Sequence, residues 1–266
     1  MRRLIIKMLH PILPKLWYGG DYNPEQWNEA TMEEDVRMFK LANIDVATVN
    51  VFSWALIQPD ETTYSFAKLD NIIERLTKDN IYICLATATG AHPAWMAHRY
   101  PDITRVDYEG RKRKFGGRHN SCPNSPTYRK YARELANKLA ERYSKHKGLV
   151  MWHISNEYGG YCYCDNCAEA FRVWLQEKYE TIENLNDKWY TSFWGHTFYD
   201  FAEIFPPNAI SEEWAGNRTN FQTISLDYRR FQSDSLLACF KLEYDAIREY
   251  SQDVQITTNL MVHILS

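Results

Sequence analysis

Apolar positions along the chain fall into two alternating rhythms: short blocks rich in β-branched and aromatic residues, and longer stretches in which every third or fourth residue is apolar. Residues 16–24 start as a short strand and break at Gly19, Gly20 and the Asn23–Pro24 step. Thr31 followed by Glu34 reads as a capping box, and Met32, Val36 and Phe39 then recur at helical spacing, which predicts a helix to about Leu41. Residues 45–52 form a second strand that ends at Ser53 and Trp54. Leu69, Ile72, Ile73 and Leu76, at i, i+3, i+4 and i+7, give a second helix one apolar face. A third strand spans 81–87. Ser125 and Pro126 open a third helix with Tyr128, Ala132, Leu135 and Leu139 on its inner side. Residues 149–154, bounded by Gly148 and by Gly159 and Gly160, are apolar on both faces, as in a buried strand of a parallel sheet. Beyond them the pattern predicts a helix near 169–179 and a loop-like aromatic stretch over 189–205 that ends at Pro206 and Pro207. A long helix marked by Phe221, Ile224, Tyr228, Phe231, Ala238 and Leu242 follows, then a fifth strand over 254–259.

Strand and helix alternate four times without an intervening hairpin signal, which argues for right-handed βαβ units around a parallel sheet. The fold class is α/β, and 266 residues suffice for one (β/α)8 barrel of about 250 residues. No repeat, low-complexity tract or linker divides residues 16–266. Residues 1–15 read as a short extension: Arg2, Arg3, Leu4, Ile5 and Ile6 imitate a signal peptide, but Lys7, His10 and Pro11 interrupt the apolar region and no small-residue cleavage site follows. The aromatic stretch has an interface's side chains, and it is expected to wall a cleft or to pack on another subunit.

A net charge of −3 with scattered signs leaves no nucleic-acid footprint, and no apolar run reaches the ~18 residues that would span a membrane. Aromatic content of 15% is high; aromatic faces stack on sugar rings, so the excess favours a carbohydrate cleft, although much of it is core. Within this frame one residue stands out. Glu157 leaves the fourth strand beside Asn156, and the rim at the carboxyl ends of barrel strands is where catalytic groups sit. Flanked by Trp152 and Tyr158, its carboxyl is expected to be partly desolvated, with a raised pKa suited to proton donation. A strand-end Glu held by an Arg for structure is the alternative.

The six cysteines divide unevenly. Cys84 and Cys239 sit in apolar contexts and read as small buried hydrophobes. Cys162, Cys164 and Cys167 are too close together to pair efficiently as disulfides, but with Cys122 they can wrap one tetrahedral ion, a closed structural zinc site. Exposed thiols, or a disulfide with an odd partner, is the other reading. Zinc held by thiolates favours a reducing compartment, hence the cytoplasm. The basic segment 107–118 reads as a solvated hairpin, except that Arg118, close to Cys122, is pinned well enough to reach into a sugar site as a fixed fork of donors.

The motifs YGGDYNPEQW (18–27), FSWA (52–55), HNSCPNSP (119–126), WHISNEY (152–158) and TTNL (257–260), with the Cys162/Cys164/Cys167 cluster, resemble those of the family 42 glycoside hydrolases over about 18–260. The resemblance implies a (β/α)8 barrel, a homo-oligomer (a trimer), and retaining hydrolysis of terminal β-D-galactosyl groups. It implies Glu157 as general acid/base, Asn156 as the amide that meets the sugar 2-hydroxyl, Arg118 as a substrate arginine, and Cys122, Cys162, Cys164 and Cys167 as zinc ligands. Retention needs a second carboxylate about 5–5.5 Å away as nucleophile. The family carries that glutamate on a later strand, the seventh, so it is expected beyond this chain, which reaches about five strand–helix units and departs from the family pattern over 262–266. Glu25, Glu61 and Glu203 are not substitutes, because none ends a predicted strand. An open five-stranded sheet is expected to expose an edge and apolar surface. Two other outcomes are a sugar-binding, zinc-stabilised remnant without turnover, and an enzyme for a related β-linked sugar such as an arabinoside or fucoside.

Overall fold

The structure, a computed structural model, describes residue 12, residues 14–210 and residues 222–260. Phe221, residues 262–266 and, apart from Ile12, Pro14 and Lys15, the N-terminal extension lie outside the described residues. Strands β1 (Gly19–Asp21), β2 (Val46–Val49), β3 (Tyr82–Ala86), β4 (Leu149–His153) and β5 (Gln255–Thr257) form one five-stranded sheet, parallel throughout and in sequence order. Helices occupy every connection. Helix α1 (Glu29–Leu41) follows β1; α2 (Trp54–Ile57) and α3 (Ala67–Lys78) follow β2; α4 (Ala94–Arg99) and α5 (Pro126–Tyr143) follow β3. The connection from β4 to β5 carries α6 (Asp165–Tyr179), α7 (Ile182–Trp189) and α8 (Gln222–Arg248). Sequential parallel order with a helical return after each strand is the arrangement of successive units of a (β/α)8 barrel.

The local reasons match the pattern along the chain. Val49, Leu85, Val150 and Trp152 are sealed in the sheet, and all four apolar residues of the α3 stripe are buried. At about 1.5–3 kcal/mol for each fully buried large side chain, that stripe outweighs the weak intrinsic propensity of so short a helix. A Cβ on Gly19 would overlap the Val46 carbonyl oxygen, so β1 can approach β2 only with glycine there. Ser125 caps α5 by accepting the Tyr128 amide at 3.1 Å. The edge strands are the most exposed: β1 is exposed throughout and β5 only partly covered.

Three elements differ from expectation. The cap of α1 is Asn28, whose side chain accepts the Thr31 amide at 2.9 Å; Thr31 therefore lies inside the first turn, and Glu34 pairs with Arg37 instead of closing a capping box. Helix α6 begins at Asp165 because Cys164, in extended conformation, serves as its cap. Helix α7 lies between the expected helix near 169–179 and the aromatic stretch, which it reaches only at Trp189. Thr181 caps it, Leu185 and Trp189 are buried, and Tyr190 ends it in a left-handed conformation. Eight residues give too little periodicity to announce a helix.

Contacts divide the chain into two compact units, the first from residues 1–95, 132–158 and 240–266 and the second from residues 96–131 and 159–239. Both are discontinuous, and α4, α5 and α8 each contribute residues to both, so no linker composition marks the division. The first unit holds the sheet. The second has its own core, in which Phe171, Tyr228, Phe231 and Trp189 pack around three buried cysteines. Asp227, fully buried there, is compensated by Lys178 at 2.6 Å, Arg230 at 3.0 Å and the Tyr179 hydroxyl at 2.6 Å. These contacts hold its carboxyl below the usual range against the burial that pushes it up.

Candidate active site

In the first unit the strands end on backbone that side chains rarely adopt. Asn50 after β2 (φ 69°), Ala88 after β3 (φ 66°), and Ser155 (φ 52°) and Glu157 (φ 48°) after β4 all lie in the left-handed region. Each such residue costs of order 1 kcal/mol or more, and persists only where its surroundings hold it. Around β4 the holding groups are explicit. The Ser155 amide donates to Thr87 Oγ1 at 2.8 Å, and the Glu157 amide donates to Asn259 Oδ1 at 2.6 Å. Asn259 Nδ2 donates to Asn156 Oδ1 at 3.1 Å, and Thr258 Oγ1 donates to the Ile154 carbonyl at 2.8 Å. One side chain at the end of β5 thus holds both members of the Asn156–Glu157 pair. Asn156 is buried and Glu157 half-buried. Trp152, expected to flank Glu157, is fully buried and donates its Nε1–H to Ser251 Oγ at 3.0 Å.

A second carboxyl lies close by in the same unit and was not legible beforehand. Glu243, in α8 and fully buried, accepts from the hydroxyls of Thr87 (2.5 Å), Thr89 (2.8 Å) and Tyr158 (2.9 Å). The signal available was its spacing: Ala246 and Ile247, three and four residues on, are both buried, so Glu243 interrupts an apolar stripe. Burial pushes its pKa up to about 7, against the three hydroxyl contacts that pull it down. Below about pH 7 the folded state therefore holds Glu243 neutral, and above it the carboxylate forms. The resulting stabilisation is fully present below the ordinary carboxyl value of 4.5 and is lost as pH rises through about 7. Glu243→Gln removes this titration. Calorimetry of the full-length protein from pH 5 to 8 is expected to show the variant gaining on the unsubstituted protein as pH rises, by up to roughly 3 kcal/mol; a constant gap would count against it.

The second unit brings the four cysteines together. Cys122, Cys162 and Cys167 are buried and none of the six cysteines is in a disulfide. The four sulfur atoms lie within 4.8 Å of one another, with Cys122 3.4 Å from Cys164 and 3.5 Å from Cys167. A disulfide needs about 2.05 Å. Sulfurs around a tetrahedral zinc at about 2.3 Å would lie about 3.8 Å apart, so the cluster has the spacing of a four-thiolate metal site. The surroundings suit negative sulfur. Asn124 donates its amide N–H to Cys122 at 3.4 Å and its Nδ2 to Cys167 at 3.3 Å. Hydrogen bonding with the other three thiols pushes Cys162 down and Cys122 up.

Arg105 was also missed. Buried to 4% exposure, it donates Nε to the Ser121 carbonyl and Nη1 to the Gly159 carbonyl, both at 2.7 Å, tying the segment before Cys122 to the segment before Cys162. Gly160 has φ 73°, and a Cβ there would come within 2.5 Å of Arg105 Nη1. The basic segment is a hairpin, as expected, with antiparallel bridges Thr104–Ser121 and Val106–Lys112. Arg118 is exposed on it, in the second unit, whereas Asn156 and Glu157 belong to the first. Cys84 and Cys239 are buried, as their apolar settings predict.

The glycoside hydrolase family 42 model, described as beta-galactosidase, matches residues 21–266. The chain belongs to glycoside hydrolase family 42. Within family 42 it is 66% identical over 255 residues to beta-galactosidase BgaP of Planococcus sp. (strain L4), covering 96% of this chain and 38% of that protein. It is 50% identical over 249 residues to beta-galactosidase LacZ of Lactobacillus acidophilus, covering 93% and 37%. The crystal structure of beta-galactosidase from Bacillus circulans sp. alkalophilus superposes with a TM-score of 0.93 at 74% identity, over 96% of this chain and 38% of that one. The catalytic domain of beta-amylase from Paenibacillus polymyxa, at 12% identity and a TM-score of 0.69, shares the fold alone. The family 42 membership and barrel architecture expected from the motifs are thus established, and the chain spans 38% of the length of curated relatives such as BgaP.

Proposed function

We propose that the full-length protein is a retaining glycoside hydrolase of terminal, non-reducing β-D-galactosyl groups, with Glu157 as its general acid/base. The observation that carries this reading is the exit of β4, where Asn259 holds the backbone of Glu157 and the amide of Asn156 together. The names of the relatives, beta-galactosidases, supply the substrate class. In the first step the Glu157 carboxyl donates its proton to the glycosidic oxygen as that bond breaks, and the aglycone leaves as an alcohol. The anomeric carbon is taken by a carboxylate that family likeness assigns to a later strand of the complete barrel. In the second step the Glu157 carboxylate removes a proton from water, whose oxygen attacks the anomeric carbon and frees the enzyme. Asn156 is assigned to the 2-hydroxyl, and Arg118 to the sugar as a planar donor.

Cys122, Cys162, Cys164 and Cys167 would hold a structural zinc. Four thiolates close its coordination, so it supplies rigidity and takes no part in bond breaking. Such thiols remain reduced in the cytoplasm, where we place the protein. Among the described residues no helix is long and apolar enough to cross a membrane. Exposed Tyr190, Phe193, Tyr199 and Phe205 on one stretch favour a homo-oligomer, a trimer by family likeness. The test is incubation of the full-length protein with 4-nitrophenyl β-D-galactoside while the sugar product is followed by NMR. Release of the β-anomer first is expected; no release, or the α-anomer first, would overturn the reading.

A further inference from the structure

The turn that presents Glu157 is held from the β5 side by Asn259, but that contact leaves both flanks of the turn to other groups. One flank is Ser155, left-handed, with its amide on Thr87 Oγ1. The other is Tyr158, whose backbone bridges Leu260 and whose hydroxyl reaches 2.9 Å from Glu243 Oε1. Thr87, in turn, donates its own hydroxyl to Glu243 Oε2 at 2.5 Å. The two flanks therefore converge on a single carboxyl.

We propose that Glu243 is a positioning residue for the acid/base: through Tyr158 on one side and Thr87 on the other, it clamps the left-handed turn that aims Glu157. This rests on the acid/base role of Glu157. The geometry has no simpler use. A carboxyl buried in a helix face is costly, and among the described residues the groups that face Glu243 are the three hydroxyls of Thr87, Thr89 and Tyr158, not a cation that would repay the burial as an ion pair. A hydroxyl or amide would serve to anchor α8. Once ionised, a carboxyl has four acceptor sites, accepts all three hydroxyls at once and leaves the Thr87 oxygen oriented to receive the Ser155 amide. Its elevated pKa, about 7, adds that the clamp changes charge in the neutral range.

The experiment uses the full-length protein and two galactosides. Methyl β-D-galactoside has a leaving group that must be protonated, whereas 2,4-dinitrophenyl β-D-galactoside has one that need not be. A misaimed acid slows only the first. Tyr158→Phe, which removes the tether and leaves both threonines in place, and Glu243→Gln are each expected to lower kcat/KM for the methyl glycoside by roughly tenfold to hundredfold. The dinitrophenyl glycoside should change less than about threefold, since misplacement of the acid alone does not reach it. Equal losses on both substrates, or none on either, would overturn the proposal, and Tyr158→Phe alone decides if Glu243→Gln does not fold. Glu157→Gln, measured in parallel, separates the two levels. If its loss depends on the leaving group while the other two variants' losses do not, only the clamp falls. If its own loss shows no such dependence, the acid/base reading falls and takes the clamp with it.

Discussion

Glu157→Gln in the full-length protein is expected to lower kcat/KM for alkyl β-D-galactosides by about 10²–10⁴-fold, the usual worth of a positioned general acid. The amide keeps the side chain's volume and half its hydrogen-bonding capacity, but it has no proton to give in the neutral range. The contact with Asn259 uses the backbone, the Glu157 amide N–H on Asn259 Oδ1, so the substitution keeps it. The melting temperature should therefore change little. With a dinitrophenyl leaving group the first step needs no acid, and the second step, which does need a base, becomes limiting. Azide, a nucleophile with no proton to lose, should then restore turnover and yield a β-galactosyl azide. Unchanged alkyl-galactoside rates in this variant would remove Glu157 from the role.

Removing a metal ligand is expected to have the largest effect on stability. Metal analysis should find one zinc per chain, and Cys164→Ala should lose most of it. Cys122, Cys162 and Cys167 are fully buried in the aromatic core of the second unit, so loss of the ion removes the cross-link that ties their segments together inside that core. A loss of about 3–5 kcal/mol is expected, the scale on which loss of a structural cross-link destabilises a domain. That corresponds to roughly 12–20 °C in melting temperature for a unit of this size. Cys84→Ala, a lone buried thiol in β3, serves as the control and should leave the zinc content unchanged. Protein purified without near-stoichiometric zinc, or Cys164→Ala with unchanged stability, would refute the assignment.

Several features of the site were legible because they are local. Residues 149–154 are apolar on both faces and stop at an amide and a carboxyl, so the strand and its position on a rim follow from burial alone. The Cys162, Cys164, Cys167 spacing is a property of six consecutive residues and needs no fold to be noticed. The α3 stripe and the Ser125 cap are equally local, and both formed where the pattern put them. What escaped notice was local structure too short to show a period, as in α7, or a cap shifted by three residues, as at Asn28.

The chain's own order of residues determined the α/β class, the sequence of strands and helices, the strand that carries Glu157 and the identity of the thiol cluster, because periodicity, punctuation and spacing act over a few neighbouring positions. Only the tertiary structure decided which distant groups hold the site. Asn259 lies 102 residues beyond Glu157 and Glu243 lies 85 beyond Tyr158, and Arg105 reaches across 54 residues to Gly159. A buried carboxyl or guanidinium is intelligible only when its partners are known, since burial without them would be prohibitive. Those partners are chosen by the packing of whole elements, not by any neighbour in the chain.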